Sequence, residues 1–147
     1  MNNFRIIQLT NSSVGSVPAN SYMPLGTITR RINPNCQCND RTFTVSSTGT
    51  NIVTINECGY YKVLYSASVV ATDAGIVTLS LQLNSSTVYT VSTTAAAGDT
   101  VNLTLPFEIR VFPNCQGVTN NIPVNIQVLL SGVAVTNGNT NFIVERN

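Results

Sequence analysis

Apolar and polar residues alternate singly along most of this chain. From Tyr61 onward, Tyr61, Val63, Tyr65, Ala67 and Val69 occupy every second position, with Lys62, Ser66 and Ser68 between them. Side chains alternate across a strand with a period of two, so this pattern predicts a half-buried strand over residues 60–71. Its apolar face carries two tyrosines. The same alternation places Val77, Leu79, Leu81 and Leu83 on one side of a strand over 76–83. It does so again for Val101, Leu103 and Leu105 in 101–111, where Pro106 predicts a bulge or a sheet edge. Shorter strands are read over residues 4–9, 25–32, 43–45, 52–55, 87–92, 123–130 and 142–145. Ala95-Ala96-Ala97-Gly98-Asp99 reads as a turn, and 132–141 as a flexible connection. Extended apolar spacing of 3.6 residues is missing and β-branched residues dominate, so few segments read as helix.

About eight to ten short strands with closely spaced turns imply an all-β, antiparallel sandwich of the jelly-roll kind. No linker divides the chain. Residues 12–24 hold Gly15, Pro18, Asn20 and Pro24 and read as loop, so residues 1–24 are expected to form an N-terminal arm or anchor and 25–147 the jelly roll. One tetrapeptide recurs: Pro34-Asn35-Cys36-Gln37 and Pro113-Asn114-Cys115-Gln116, each entering a loop after a strand.

Composition narrows the function. At 147 residues the chain can bury a substantial core. Charged residues make up only 9%, against about 25% in an ordinary soluble domain. Asn, Ser and Thr supply the polarity, which suits a protein held in a larger assembly or exposed to harsh surroundings. Net charge is +1, and Lys62 is the single lysine. A nucleic-acid binder needs a clustered basic stripe, and Arg30-Arg31 alone does not make one. Histidine, the commonest acid–base group, is absent. Asp40, Glu57, Asp73, Asp99, Glu108 and Glu145 are scattered, and the glycines form no phosphate loop. An enzyme is not expected, and nothing points to a cofactor.

The N-terminus alternates instead of forming the roughly 7–15-residue apolar run of a signal peptide. No stretch approaches the roughly 18 apolar residues of a membrane-spanning helix. Synthesis in the cytoplasm of a host, without export, is the expectation, and the N-x-S/T matches at Asn11, Asn84 and Asn102 carry little weight accordingly. Four cysteines, Cys36, Cys38, Cys58 and Cys115, allow free thiols, a loop-to-loop disulfide such as Cys36–Cys115, or a metal site. The Cys36-Gln37-Cys38 spacing is too tight for the common zinc knuckle, so thiols or a disulfide are favoured over metal.

Several motifs occur in a telling order. Gly59, Tyr61, Val63 and Tyr65 match a G-x-Y-x-[VI]-x-[YF] strand, and Ile52-Val53-Thr54-Ile55-Asn56-Glu57 leads into it. Ala96-Ala97-Gly98-Asp99-Thr100-Val101 and Phe142-Ile143-Val144-Glu145 follow. In this order they resemble the trimeric jelly-roll superfamily of tumour necrosis factor and the complement globular head. The likeness is greatest to its bacterial and phage branch of exosporium glycoproteins, virion fibres and decoration modules. The collagen-like stalk of the exosporium proteins is missing, and Ser85 stands where the family has the glycine of an Asn-Gly turn.

The resemblance implies a homotrimer burying an aromatic-rich face at a three-fold axis. Tyr61 and Tyr65 are the candidate interface residues, with Tyr60 taking the role if the register differs by one. The expected function is that of a virion structural protein, a trimeric capsid decoration or head fibre attached to capsid proteins through residues 1–24. The alternatives are a receptor- or glycan-binding fibre tip, using the loops at 33–40 and 114–121, or a bacterial spore or cell-surface coat protein.

Overall fold

The computed structural model describes residues 5–32, 42–45, 51–118 and 120–146. Among them there are eleven strands and no helix. These are β1 (Arg5–Asn11), β2 (Ser21–Tyr22), β3 (Thr27–Ile32), β4 (Phe43–Val45), β5 (Val53–Ile55), β6 (Gly59–Ala71), β7 (Gly75–Leu83), β8 (Ser86–Ala95), β9 (Thr100–Val111), β10 (Val124–Gly132) and β11 (Val135–Arg146). One sheet has the order β3-β1-β11-β6-β9 and the other β4-β5-β10-β7-β8, with β2 also paired to β10. All named pairings are antiparallel.

The two sheets close on one apolar core, as amphipathic strands must when each has a single hydrophobic face. Tyr61, Tyr65, Leu105 and Phe142 come from the first sheet; Phe43, Ile55, Leu79 and Leu81 come from the second. Tyr65 and Phe142 meet edge-on at 6.0 Å between ring centres, and Phe43 and Tyr61 at 5.8 Å. β9 is an edge strand, which accommodates Pro106 as its position in the sequence predicted. The β7–β8 hairpin turns on Asn84 and Ser85, both with positive φ (50° and 68°). That is the left-handed two-residue turn usually given to Asn-Gly, so serine replaces glycine without changing the geometry.

Three expectations are corrected. Residues 5–24 are not an arm outside the jelly roll: β1 lies between β3 and β11, and Ile7, Leu9 and Met23 are completely buried. Detaching them would expose three large side chains at about 1.5–3 kcal/mol each, comparable to the whole stability of a domain. The segment read as loop continues the fold, with Val17 bridged to Val135 and the Met23 amide donating to the Val128 carbonyl at 2.8 Å. The last strand begins at Val135 rather than Phe142, because the Asn/Gly/Thr-rich stretch expected to be flexible pairs with β6 through a bulge. Gly138 makes that bulge feasible. Its φ is 131°, and a Cβ there would lie 2.0 Å from the Ser68 carbonyl oxygen.

Candidate association surface

The register of β6 decides which tyrosines have a surface to offer. Tyr61, Val63 and Tyr65 point between the sheets, and Tyr60, Lys62 and Leu64 point away from them. Tyr61 and Tyr65 are 1% and 0% exposed, whereas Tyr60 is 59% exposed. A side chain already buried within one chain has no area left to lose on association, so the expected role of Tyr61 and Tyr65 at a three-fold axis is corrected to monomer core. Sequence alternation correctly placed the two on one face. It could not tell a core-facing wall from a partner-facing one, since tyrosine suits both settings.

The two core tyrosines are held differently. Tyr61 donates its hydroxyl to the Glu57 carbonyl at 2.7 Å. The Tyr65 and Thr140 hydroxyls are buried and make no hydrogen bond of normal geometry. Burial pushes the Tyr65 phenol pKa well above its ordinary value, and the neighbouring Thr140 hydroxyl offsets this only in part.

The outward face of the five-stranded sheet can be read row by row from its register. One row is Glu108, Lys62, Glu145, Ile6 and Ile32, on β9, β6, β11, β1 and β3. The next is Pro106, Leu64, Ile143, Gln8 and Arg30. Below them, Arg110 sits between Tyr60 and Phe112, its guanidinium carbon 5.0 and 5.1 Å from the two ring centres, and it donates to the Tyr60 hydroxyl at 3.1 Å. Above them, Ser66, Ser68, Asn102, Asn139 and Asn141 line a shallow depression of about 200 Å³. The face thus carries a charged and aromatic end, an apolar middle and an uncharged polar end.

The outward face of the other sheet contrasts with it. Thr78 bonds Ser92 at 2.9 Å, Ser80 bonds Thr90 at 3.2 Å, Tyr22 donates to Gln82 at 2.9 Å and Thr54 donates to Asn125 at 2.7 Å. Those polar side chains satisfy one another along the strands. On the first face Lys62 lies directly across from both Glu108 and Glu145, and at the rim Arg146 pairs with Glu57 at 2.6 Å. Arg146 also donates to the Cys58 carbonyl, and its side chain crosses Gly59, where a Cβ would lie 2.8 Å from the Arg146 Nε. The strand-opening glycine of the motif therefore makes room for this rim contact.

Other predicted sites fare variously. Cys36 and Cys38, with the loop at 33–40, lie outside the described residues. Cys58 is exposed and Cys115 half-buried, and the two are not bonded to each other. In the second candidate glycan loop, the Asn121 side chain is spent on the Cys115 amide and the Cys115 and Val118 carbonyls, which stiffens the turn and consumes its amide. Among the described residues no three His, Cys, Asp or Glu side chains come together.

These features define a two-sheet jelly roll of the tumour-necrosis-factor and complement-head type. Solved structures share it along nearly their whole length. PRD1 vertex protein P5 superposes with a TM-score of 0.62 at 18% identity, covering 97% of this chain and 96% of that one. The Eiger TNF of S. frugiperda gives 0.70 at 8%, covering 98% and 91%. The globular domain of zebrafish complement 1qA protein gives 0.57 at 12%, covering 97% of this chain and 99% of that one. The first is named as a vertex protein, and none of the three is named as an enzyme. No family model and no curated protein sequence matches the chain.

Proposed function

We propose that this chain is a structural protein of a phage virion, a homotrimeric jelly roll that decorates the capsid or forms a head fibre. The observation that carries the reading is the end-to-end structural likeness to PRD1 vertex protein P5, with no large part of either chain left over. The charge-poor, Asn/Ser/Thr-rich surface, the missing histidine and the exposed Leu64 and Tyr60 on an otherwise regular sheet face support assembly over catalysis. Attachment to the capsid uses surfaces that the folded sandwich exposes, because residues 5–24 are built into the sandwich and bury Ile7, Leu9 and Met23 in its core.

Two measurements test the proposal. Light scattering on the purified chain should give three times its 15.7 kDa mass. Antibody raised against the chain should label intact phage particles in electron micrographs, and mass spectrometry should find it in purified particles. A chain that is missing from particles, or that stays monomeric at high concentration, defeats the corresponding half of the reading.

A further inference from the structure

β3 ends the first sheet, has no buried residue and, among the described residues, pairs on one side only, with β1. Alternate residues of such an edge turn their N–H and C=O groups outward, a row of bonding groups open to another extended chain. Ile28 and Ile32 stay 43% and 37% exposed on it. The register sets Arg30 and Ile32 opposite Gln8 and Ile6, on the outward side of the sheet, and Arg31 and Ile28 opposite Ile7 and Leu9, on the inner side. Each side of the edge therefore offers one cation and one apolar residue. Arg31 is held by the Phe43 carbonyl, across the gap between the sheets, and Arg30 lies exposed. The other edges are less suited. β4 is three residues long, β9 carries Pro106, which has no N–H to donate, and β8 has no charged residue to select a partner.

The charge of β3 restricts the occupant. Thr27–Ile32 holds two arginines and no acid. Opposite charges facing each other across a ladder stabilise it, and like charges destabilise it. A second copy adding through its own β3 would crowd two arginines from each chain onto one six-residue ladder. Nor does this chain supply an acidic strand among its described residues: Glu108 and Glu145 are already paired within the sheet, and Glu57, Asp73 and Asp99 lie outside the strands. We infer that β3 receives an extended, acidic segment of another protein, which continues the five-stranded sheet by one strand. In this mode of recognition main-chain hydrogen bonds supply the affinity and side chains the selection. A carboxylate of the segment faces Arg30, and an apolar residue two positions away lies along Ile32. On the virion reading this edge is where a neighbouring particle protein attaches, so the inference rests on that reading for the source of the segment.

The test uses the full-length protein and two fluorescent octapeptides, one alternating glutamate with valine and the other lysine with valine. The glutamate peptide should bind in anisotropy titrations and slow the hydrogen exchange of amides in residues 27–32. The lysine peptide should bind about fivefold more weakly, the worth of one cross-strand ion pair. Arg30→Glu, with circular dichroism confirming that it is folded, should reverse that order, whereas Val88→Glu on β8 should leave it unchanged. Failure of the glutamate peptide to bind, equal binding of the two peptides, or protection confined to β8 overturns the inference. So does self-association that protects β3, which would make the occupant a second copy, or capture of anionic vesicles by a protein that ignores the glutamate peptide. Particle labelling judges the virion reading separately: a chain missing from particles defeats that reading, and the peptides still decide the edge.

Discussion

Replacing Tyr65 by phenylalanine should stabilise the protein and leave its assembly unchanged. The ring of Tyr65 is completely buried against Phe142, and its hydroxyl has only the neighbouring Thr140 hydroxyl beside it, without a hydrogen bond of normal geometry. Burying an unpaired hydroxyl costs roughly 1–3 kcal/mol by protein mutational data. Phenylalanine keeps the ring and its edge-on contact while removing that cost. The Thr140 hydroxyl remains buried without a partner and a small void is left, so the net gain should fall near the lower bound, about 1 kcal/mol. For a chain of this size that is about 2–4 °C in melting temperature.

The same variant has a signature at high pH. The native phenol pKa lies above that of the unfolded chain, about 10. Tyr65 therefore contributes stability that is fully present below about pH 10 and falls as the pH rises further, since only the unfolded state then loses the proton readily. Phenylalanine has no ionisable proton and escapes this decline, so the stability difference between the two proteins should widen in the variant's favour as pH rises above about 10. Calorimetry or urea unfolding at pH 7 and 10.5, with light scattering for the oligomer, measures both effects. A loss of more than about 1 kcal/mol at neutral pH would mean that the hydroxyl has a favourable partner. Loss of the oligomer would restore Tyr65 to the interface.

Neighbouring tyrosines should behave oppositely. Tyr61→Ala empties a core position packed on Phe43 and should cost about 3–5 kcal/mol in urea unfolding, whereas Tyr60→Ala should change monomer stability by less than about 1 kcal/mol. Gly138→Ala should destabilise by more than about 1 kcal/mol, because its methyl would collide with the Ser68 carbonyl oxygen at 2.0 Å; thermal melting measures this. In the native protein an alkylating reagent should reach exposed Cys58 before half-buried Cys115, as peptide mapping over time would show.

Much of the architecture was legible because β alternation is a local property. The strands at β6, β7 and β9, the β7–β8 turn and the edge position of Pro106 all follow from period-two spacing and from the residues that break it. The order of motifs around Gly59 was enough to anticipate a jelly roll of this type. What failed were judgements about environment. Residues 5–24 contain few long apolar runs and several turn formers, so they read as an arm. Ile7, Leu9 and Met23 nevertheless fill the core, because β11 and β10 supply backbone partners for that segment from more than 100 residues away. The Gly132–Asn141 stretch reads as a loop by composition, yet β6 holds most of it in the sheet from Val135 on, with a glycine bulge absorbing the extra residue.

The tyrosine face shows the same division most clearly. Spacing alone established that Tyr61 and Tyr65 share one side of β6 and Tyr60, Lys62 and Leu64 the other. It held no information on which side the second sheet covers, since that depends on β7 and β10 packing across a gap that no local pattern encodes. Tertiary structure turned Tyr61 and Tyr65 inward and left Leu64, Glu108 and Ile143 in one outward band. Those residues are distant in the chain and become neighbours only because β9 and β11 flank β6, and such adjacency is a property of the folded sheet rather than of any segment of sequence.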